Sequence, residues 1–265
     1  MTTLPYTATT TTTRAAKRPA RWLHYFRASL GQILRDWAFI SFILVMPVTM
    51  YLFFSAIYGD QEAAGGVTVA AVMMVTMATY GGLGAAMNAG ASIQSERSSG
   101  WFRQLMITPL RPAEFITAKL ATAVAVVLPA IVVVFIAGML RGVRLPIGTW
   151  FATLGMLMAA LVPMVILGLV IGLWFKPQTA AAVTTLTMLA LSMIGGLWFP
   201  LDMMPGVMQF IGKLTPSYWA GQLGVWPVVG GDFPWQGVLV IGIWTLALAG
   251  LGALGYGRAV RNSRR

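Results

Sequence analysis

Apolar positions along the chain gather into long uncharged runs instead of alternating with polar ones. Six of these runs come close to or exceed the roughly 20 residues a helix needs to cross about 30 Å of hydrocarbon. They extend from Ala38 to Tyr58, Gly65 to Ile93, Leu120 to Leu140, Ile147 to Phe175, Ala180 to Trp198 and Gly237 to Tyr256. The pattern predicts an all-α membrane protein with six transmembrane helices. The second and fourth runs are longer than a crossing requires and are expected to tilt or to extend beyond the bilayer.

Between residues 21 and 36 the periodicity changes. Trp22, Phe26, Leu30, Ile33, Leu34 and Trp37 recur at spacings of three and four, with His24, Arg27, Gly31 and Arg35 on the other side. This predicts an amphipathic helix, serving either as a membrane-surface anchor or as a docking helix for a cytosolic partner. Residues 1–20, Thr-rich and basic, are expected to be a disordered cytosolic leader. The first apolar run is too long for the core of a signal peptide and is expected to remain in the mature chain. Past the fifth run, Met203 to Gly212 is short and Leu214 to Gly231 is broken by Pro216, Pro227 and Gly230-Gly231. Both read as half-helices re-entering the outer face, with Tyr218, Trp219, Trp226 and Trp235 suited to a headgroup boundary.

Composition agrees with this class. The chain is 58% hydrophobic and only 9% charged, too few charges to coat a water-facing surface. With no Cys and a single His, thiolate chemistry, disulfides and His-based metal sites or triads are excluded. The net charge of +11 is not a nucleic-acid footprint, because the Lys and Arg flank apolar runs. On a six-span frame, fifteen of the eighteen Lys and Arg fall on one side, and only Arg141, Arg144 and Lys213 on the other. The positive-inside rule then puts both termini in the cytoplasm of a plasma-membrane protein, with 37–257 as the spanning domain and 258–265 as a basic tail. All seven acids lie at span ends or in loops, which disfavours proton or ion coupling at bilayer depth.

The loop between the second and third runs, Ser95 to Leu110, sets charged residues beside Trp101, Phe102, Leu105 and Met106. It predicts a short helix ended by Thr108-Pro109, seated either in a protein groove or on the lipid surface. Gly250-Leu251-Gly252-Ala253-Leu254-Gly255 matches a dinucleotide fingerprint. It lies within the sixth run with no strand before it, so it reads as a helix-packing face, as does Gly168-xxx-Gly172. No nucleotide or other cofactor site is expected on this chain. A stand-alone efflux carrier and a non-transporting membrane sensor stay open beside a transporter subunit.

Two blocks carry a family resemblance: Glu96-Arg97 with Gly100, Leu105, Thr108-Pro109-Leu110 and Lys119, then Gly196, Phe199-Pro200, Pro205 and Leu214-Thr215-Pro216-Ser217-Tyr218. In this order on a six-span frame they resemble the permease subunits of type-2 ATP-binding-cassette exporters, most of all the drug-resistance permeases. Ser98 and Arg103 stand where that pattern commonly has acids.

The resemblance implies a half-transporter that works with a second permease copy or a paralogue and with two copies of an ATP-binding subunit, which alone binds ATP and Mg. It implies a coupling helix bearing Glu96, Arg97, Gly100, Trp101, Phe102, Arg103, Leu105, Thr108 and Pro109. It further implies an interface helix with Trp22, Phe26, Arg27, Leu30 and Arg35, and an extracytoplasmic lid with Phe199, Pro200, Pro205, Pro216, Tyr218 and Trp219. The first, second and fifth spans would line the export path, where Tyr51, Phe54, Met73, Met77, Met188, Met193 and Trp198 suit an amphiphilic substrate such as a drug, an antibiotic or a lipid-like molecule.

Overall fold

A chain within hydrocarbon must satisfy its backbone groups internally, which favours helices. The computed structural model describes residues 18–98 and 112–263. Among them the regular elements are helical, apart from one bridge between Glu62 and Thr68. In chain order the helices are α1 (Arg18–Leu34), α2 (Trp37–Tyr58), α3 (Val69–Ala91), α4 (Ile93–Ser98), α5 (Pro112–Leu140), α6 (Ile147–Ala160), α7 (Val162–Trp174), α8 (Pro177–Ile194), α9 (Gly206–Leu214), α10 (Pro216–Val229) and α11 (Trp235–Ser263).

Among the described residues five stretches are long and apolar enough to cross a membrane: Ile40–Tyr58, Val69–Ser95, Thr117–Leu140, Ile147–Trp174 and Trp235–Gly255. The run expected to span 180–198 forms the shorter apolar helix Gln178–Ile194. The chain leaves α8 at Gly195 and Gly196, the latter at φ +68°, a conformation that disfavours any residue with a Cβ. The fourth run is interrupted at Leu161, because Pro163 offers no N–H to the Ala159 carbonyl.

The centre of the bundle is α3. Of an apolar 18-residue segment within Val69–Ser95 78% is buried in the interior, against 22% and 17% of the corresponding segments within Ile40–Tyr58 and Trp235–Gly255. Gly81, Gly82, Gly84, Ala85, Ala86 and Gly90 keep α3 slim, so α2, α5, α7, α8 and α10 all pack on it. Gly168 of α7 is pressed against the Met87 carbonyl, and a Cβ on Gly90 would lie 2.6 Å from the Leu169 nitrogen. Gly172 likewise abuts Ala91, as expected of a packing face. Lipid provides no hydrophobic drive between helices, so this close fit is what holds them together.

Helix α1 covers residues 18–34 instead of the expected 21–36. Its inward face is Phe26, Ser29, Leu30 and Ile33, packed on α5, while Arg27 and Arg35 are exposed. Leu34 and Trp37, which belong to the same apolar stripe, are exposed, Trp37 at 77%, and Ser29 is buried on the inward face.

Candidate functional site

At one end of the bundle α1, α3, α4 and α5 converge on Lys119. It stands in the third turn of α5 and is 4% exposed. Its ammonium donates to Ser92 Oγ at 2.9 Å and to Ser29 Oγ at 3.4 Å. Ser92 links α3 to α4, and its own hydroxyl donates to the Ala89 carbonyl at 2.8 Å. A buried cation with hydrogen-bonding partners on separate elements fixes their spacing, because removing a partner strands charge in a low dielectric. The sequence placed Lys119 among the cytoplasmic cations and in the first block of the family resemblance, but gave it no partner. Ser29, its partner on α1, was missed altogether, and the signal was a lone hydroxyl within an apolar helical face.

The expected coupling segment lies largely outside the described residues. Glu96 and Arg97 belong to the backbone of α4, while Gly100, Trp101, Phe102, Arg103, Leu105, Thr108 and Pro109 fall outside. Of the expected interface residues, Phe26 and Leu30 face the bundle, Arg27 and Arg35 face away, and the side chain of Trp22 is outside the described set.

Between α2, α3 and α8 runs a seam that gathers part of the expected path. Met188 lies beside Gly84, whose added Cβ would sit 3.0 Å from the Met188 sulfur, and both border a small apolar crevice with Phe42, Pro47 and Tyr80. The Tyr80 and Trp198 rings meet edge to face at 5.5 Å, and Phe54 meets Phe199 at 5.7 Å. The indole N–H of Trp198 is buried with no acceptor among the described residues. Tyr51 and Met77 are enclosed and Met73 is half-buried, whereas Met193 faces outward at 52% exposure and does not join the seam. Tyr80, unflagged in the sequence, is the aromatic residue that connects Met188 to Trp198.

At the other end, α9 and α10 follow the Gly195-Gly196 turn. Thr215 Oγ1 accepts the Tyr218 N–H and so caps α10, while its own hydroxyl donates to the Gly212 carbonyl at 2.7 Å. Ser217 Oγ donates to the Leu191 carbonyl at 2.7 Å, tying α10 to α8. Two indoles hold the junction: Trp219 Nε1 donates to the Lys213 carbonyl at 2.7 Å and Trp244 Nε1, from α11, to the Leu214 carbonyl at 2.9 Å. Burial, and secondarily the Asp202 carboxylate, hold the Tyr218 hydroxyl above the usual tyrosine range, so it is neutral at physiological pH. Pro216 is buried, whereas Phe199, Pro200 and Pro205 are exposed around this end.

Of the Gly250 to Gly255 fingerprint, Gly252 and Gly255 pack on α7 as expected, whereas Gly250 is exposed and meets nothing. A Cβ on Gly255 would lie 2.6 Å from Trp174 Nε1, and that indole donates to the Leu251 carbonyl at 3.3 Å.

Several apolar helices long enough to cross a bilayer, packed through small residues on a central α3, define a multi-pass membrane protein. The sequence model of the ABC-2 type transporter matches residues 21–226, from within α1 into α10, and the chain belongs to that family. The chain is also similar to the candidate transport permease YvfS of Bacillus subtilis (strain 168), with 29% identity over 221 residues, covering 81% of this chain and 88% of that protein. It is thus a transport permease, and its family implies a system with an ATPase partner.

Proposed function

We propose that the chain is the membrane half of an ATP-driven exporter that moves an amphiphilic substrate out of the cytoplasm. In this reading α8 is the sixth crossing: its apolar part is short, at about 1.5 Å per residue, for the roughly 30 Å of the bilayer core, and local thinning accommodates it. Both termini are cytoplasmic, as the Lys and Arg asymmetry requires, and the protein resides in the plasma membrane. Two copies of an ATP-binding subunit, carrying the ATP and Mg, sit below two permease copies or a permease and a paralogue, surrounded by lipid.

The observation that carries this reading is the Lys119 junction. Glu96 and Arg97 of the coupling segment lie on α4, with residues 99–110 following in sequence, and α1 is the other cytosolic helix; Lys119 of α5 bonds Ser92, where α3 meets α4, and Ser29 of α1. A push on the coupling segment by a closing ATPase therefore reaches the core of the bundle through a rigid joint. The seam from Met188 past Tyr80 to Trp198 is the path, and α9 with α10 is the lid on its outer end.

Co-expression with the ATP-binding subunit encoded beside this gene, followed by purification through a tag on the permease, tests the assignment. A stoichiometric complex that hydrolyses ATP supports it. A permease that purifies alone with every such subunit rejects it.

A further inference from the structure

Five indoles among the described residues donate to backbone carbonyls, those of Trp150, Trp174, Trp219, Trp226 and Trp244, at distances of 2.7–3.3 Å. Trp37 and Trp235 are largely exposed instead. Trp198 follows neither course. Its N–H is shut away in the interior and has no acceptor among the described residues. Folded proteins pair nearly all their buried donors, because one left unpaired has lost its water without compensation. The exception at Trp198 asks for an acceptor from outside the chain.

The place of Trp198 in the fold limits what that acceptor is. The residue follows the Gly195-Gly196 turn and closes one end of the seam, edge to face with Tyr80, while the adjacent Phe199 meets Phe54 in the same way. From Tyr80 the seam runs to Gly84 and Met188. No side chain along this line carries a charge. An anion beside Trp198 would be desolvated without a countercharge, at far greater cost than a neutral acceptor. A lone water is also a poor match, since buried waters make about three hydrogen bonds and this end of the seam is formed by aromatic rings.

We propose that Trp198 is a specificity-determining residue of the path, its N–H donating to a neutral oxygen acceptor, a ketone, ester or amide carbonyl, within the apolar body of the transported amphiphile. The proposal rests on the export reading and names a feature of its substrate class. The crevice beside Tyr80 and Met188 measures only about 10 Å³, so in this conformation the seam is closed and the donor stays unpaired until α2 and α8 part. A site built to hydrogen-bond one group rejects an analogue that lacks it, because the donor is then left buried and unpaired.

The test uses the full chain in nanodiscs without ATP-binding subunit or ATP, so its failure and that of the exporter reading are told apart. The probes are tritiated benzophenone and tritiated diphenylmethane, which differ only in a carbonyl in place of a methylene, with binding to lipid-only nanodiscs subtracted. Benzophenone is expected to bind at least about tenfold more tightly, the equivalent of one good hydrogen bond. Trp198→Phe should bring the two affinities within about twofold, whereas Trp150→Phe, which removes an indole outside the seam, should keep the preference. Photolysis of bound benzophenone, which joins its carbonyl carbon to a nearby C–H carbon, needs no substitution and should label Tyr80, Met188 or Trp198. Equal affinity for the two probes, no binding of either, a preference that survives Trp198→Phe, or label confined to the exposed faces of α2 and α11 overturns the proposal.

Discussion

The ammonium of Lys119 stands 2.9 Å from the hydroxyl of Ser92, at the point where α3 gives way to α4, and it also reaches Ser29 on α1. Three segments that leave the bundle at its cytosolic end in the proposed topology are thereby joined at one charged group.

Replacing that group should loosen α1 first. Lys119→Met removes charge-assisted hydrogen bonds of about 1.5–3 kcal/mol in net worth. Limited trypsin digestion in detergent is expected to cut faster at the exposed Arg27 and Arg35 than in the parent protein, with Lys119→Arg in between. Unchanged cleavage would show that packing alone holds α1.

Close approach of α3 and α7 makes a contrasting pair of glycine substitutions. Gly168→Leu drives a side chain into the Met87 backbone, which cannot yield as a flexible side chain would. A loss of about 3 kcal/mol or more, at the upper end of overpacking effects, is expected in thermal unfolding. Gly250, in the same fingerprint-bearing helix as Gly255, meets nothing within 4 Å of an added Cβ. Gly250→Ala should leave stability unchanged or raise it by about 0.5–1 kcal/mol through helix propensity.

The outer end offers a third measurement. Thr215→Ala deletes the cap of α10, and such caps contribute about 1 kcal/mol. Trp244→Phe leaves the Leu214 carbonyl without its indole. Hydrogen exchange at the Tyr218 amide should quicken in the first variant. Protease sensitivity near Leu214 should rise in the second, while the Val69–Ser95 stretch stays protected in both.

Much of this fold is legible from run length and composition, because a helix in lipid needs only length and apolarity to declare itself. The α9–α10 pair is legible too, since Pro205 and Pro216 mark both helix starts. The short α8 is not, because the uncharged run continues past Gly195-Gly196 to Trp198 while the backbone turns. Inward faces are harder still. A hydrophobic stripe marks an apolar face without naming its neighbour, and it passes over Ser29, which turns to α5 because Lys119 is there to meet it. The same holds for Tyr80, whose importance comes from the approach of Trp198 across more than a hundred residues of sequence.

The most direct measurement reconstitutes the chain with its ATP-binding subunit in proteoliposomes and follows an amphiphile across the membrane with and without hydrolysable ATP. The expected result is transport that requires ATP hydrolysis and falls at least about tenfold, roughly 1.4 kcal/mol of coupling, in Glu96→Ala or Arg103→Ala, with the permease still folded. Transport that proceeds equally without ATP, or is indifferent to both substitutions, would contradict an ATP-coupled permease.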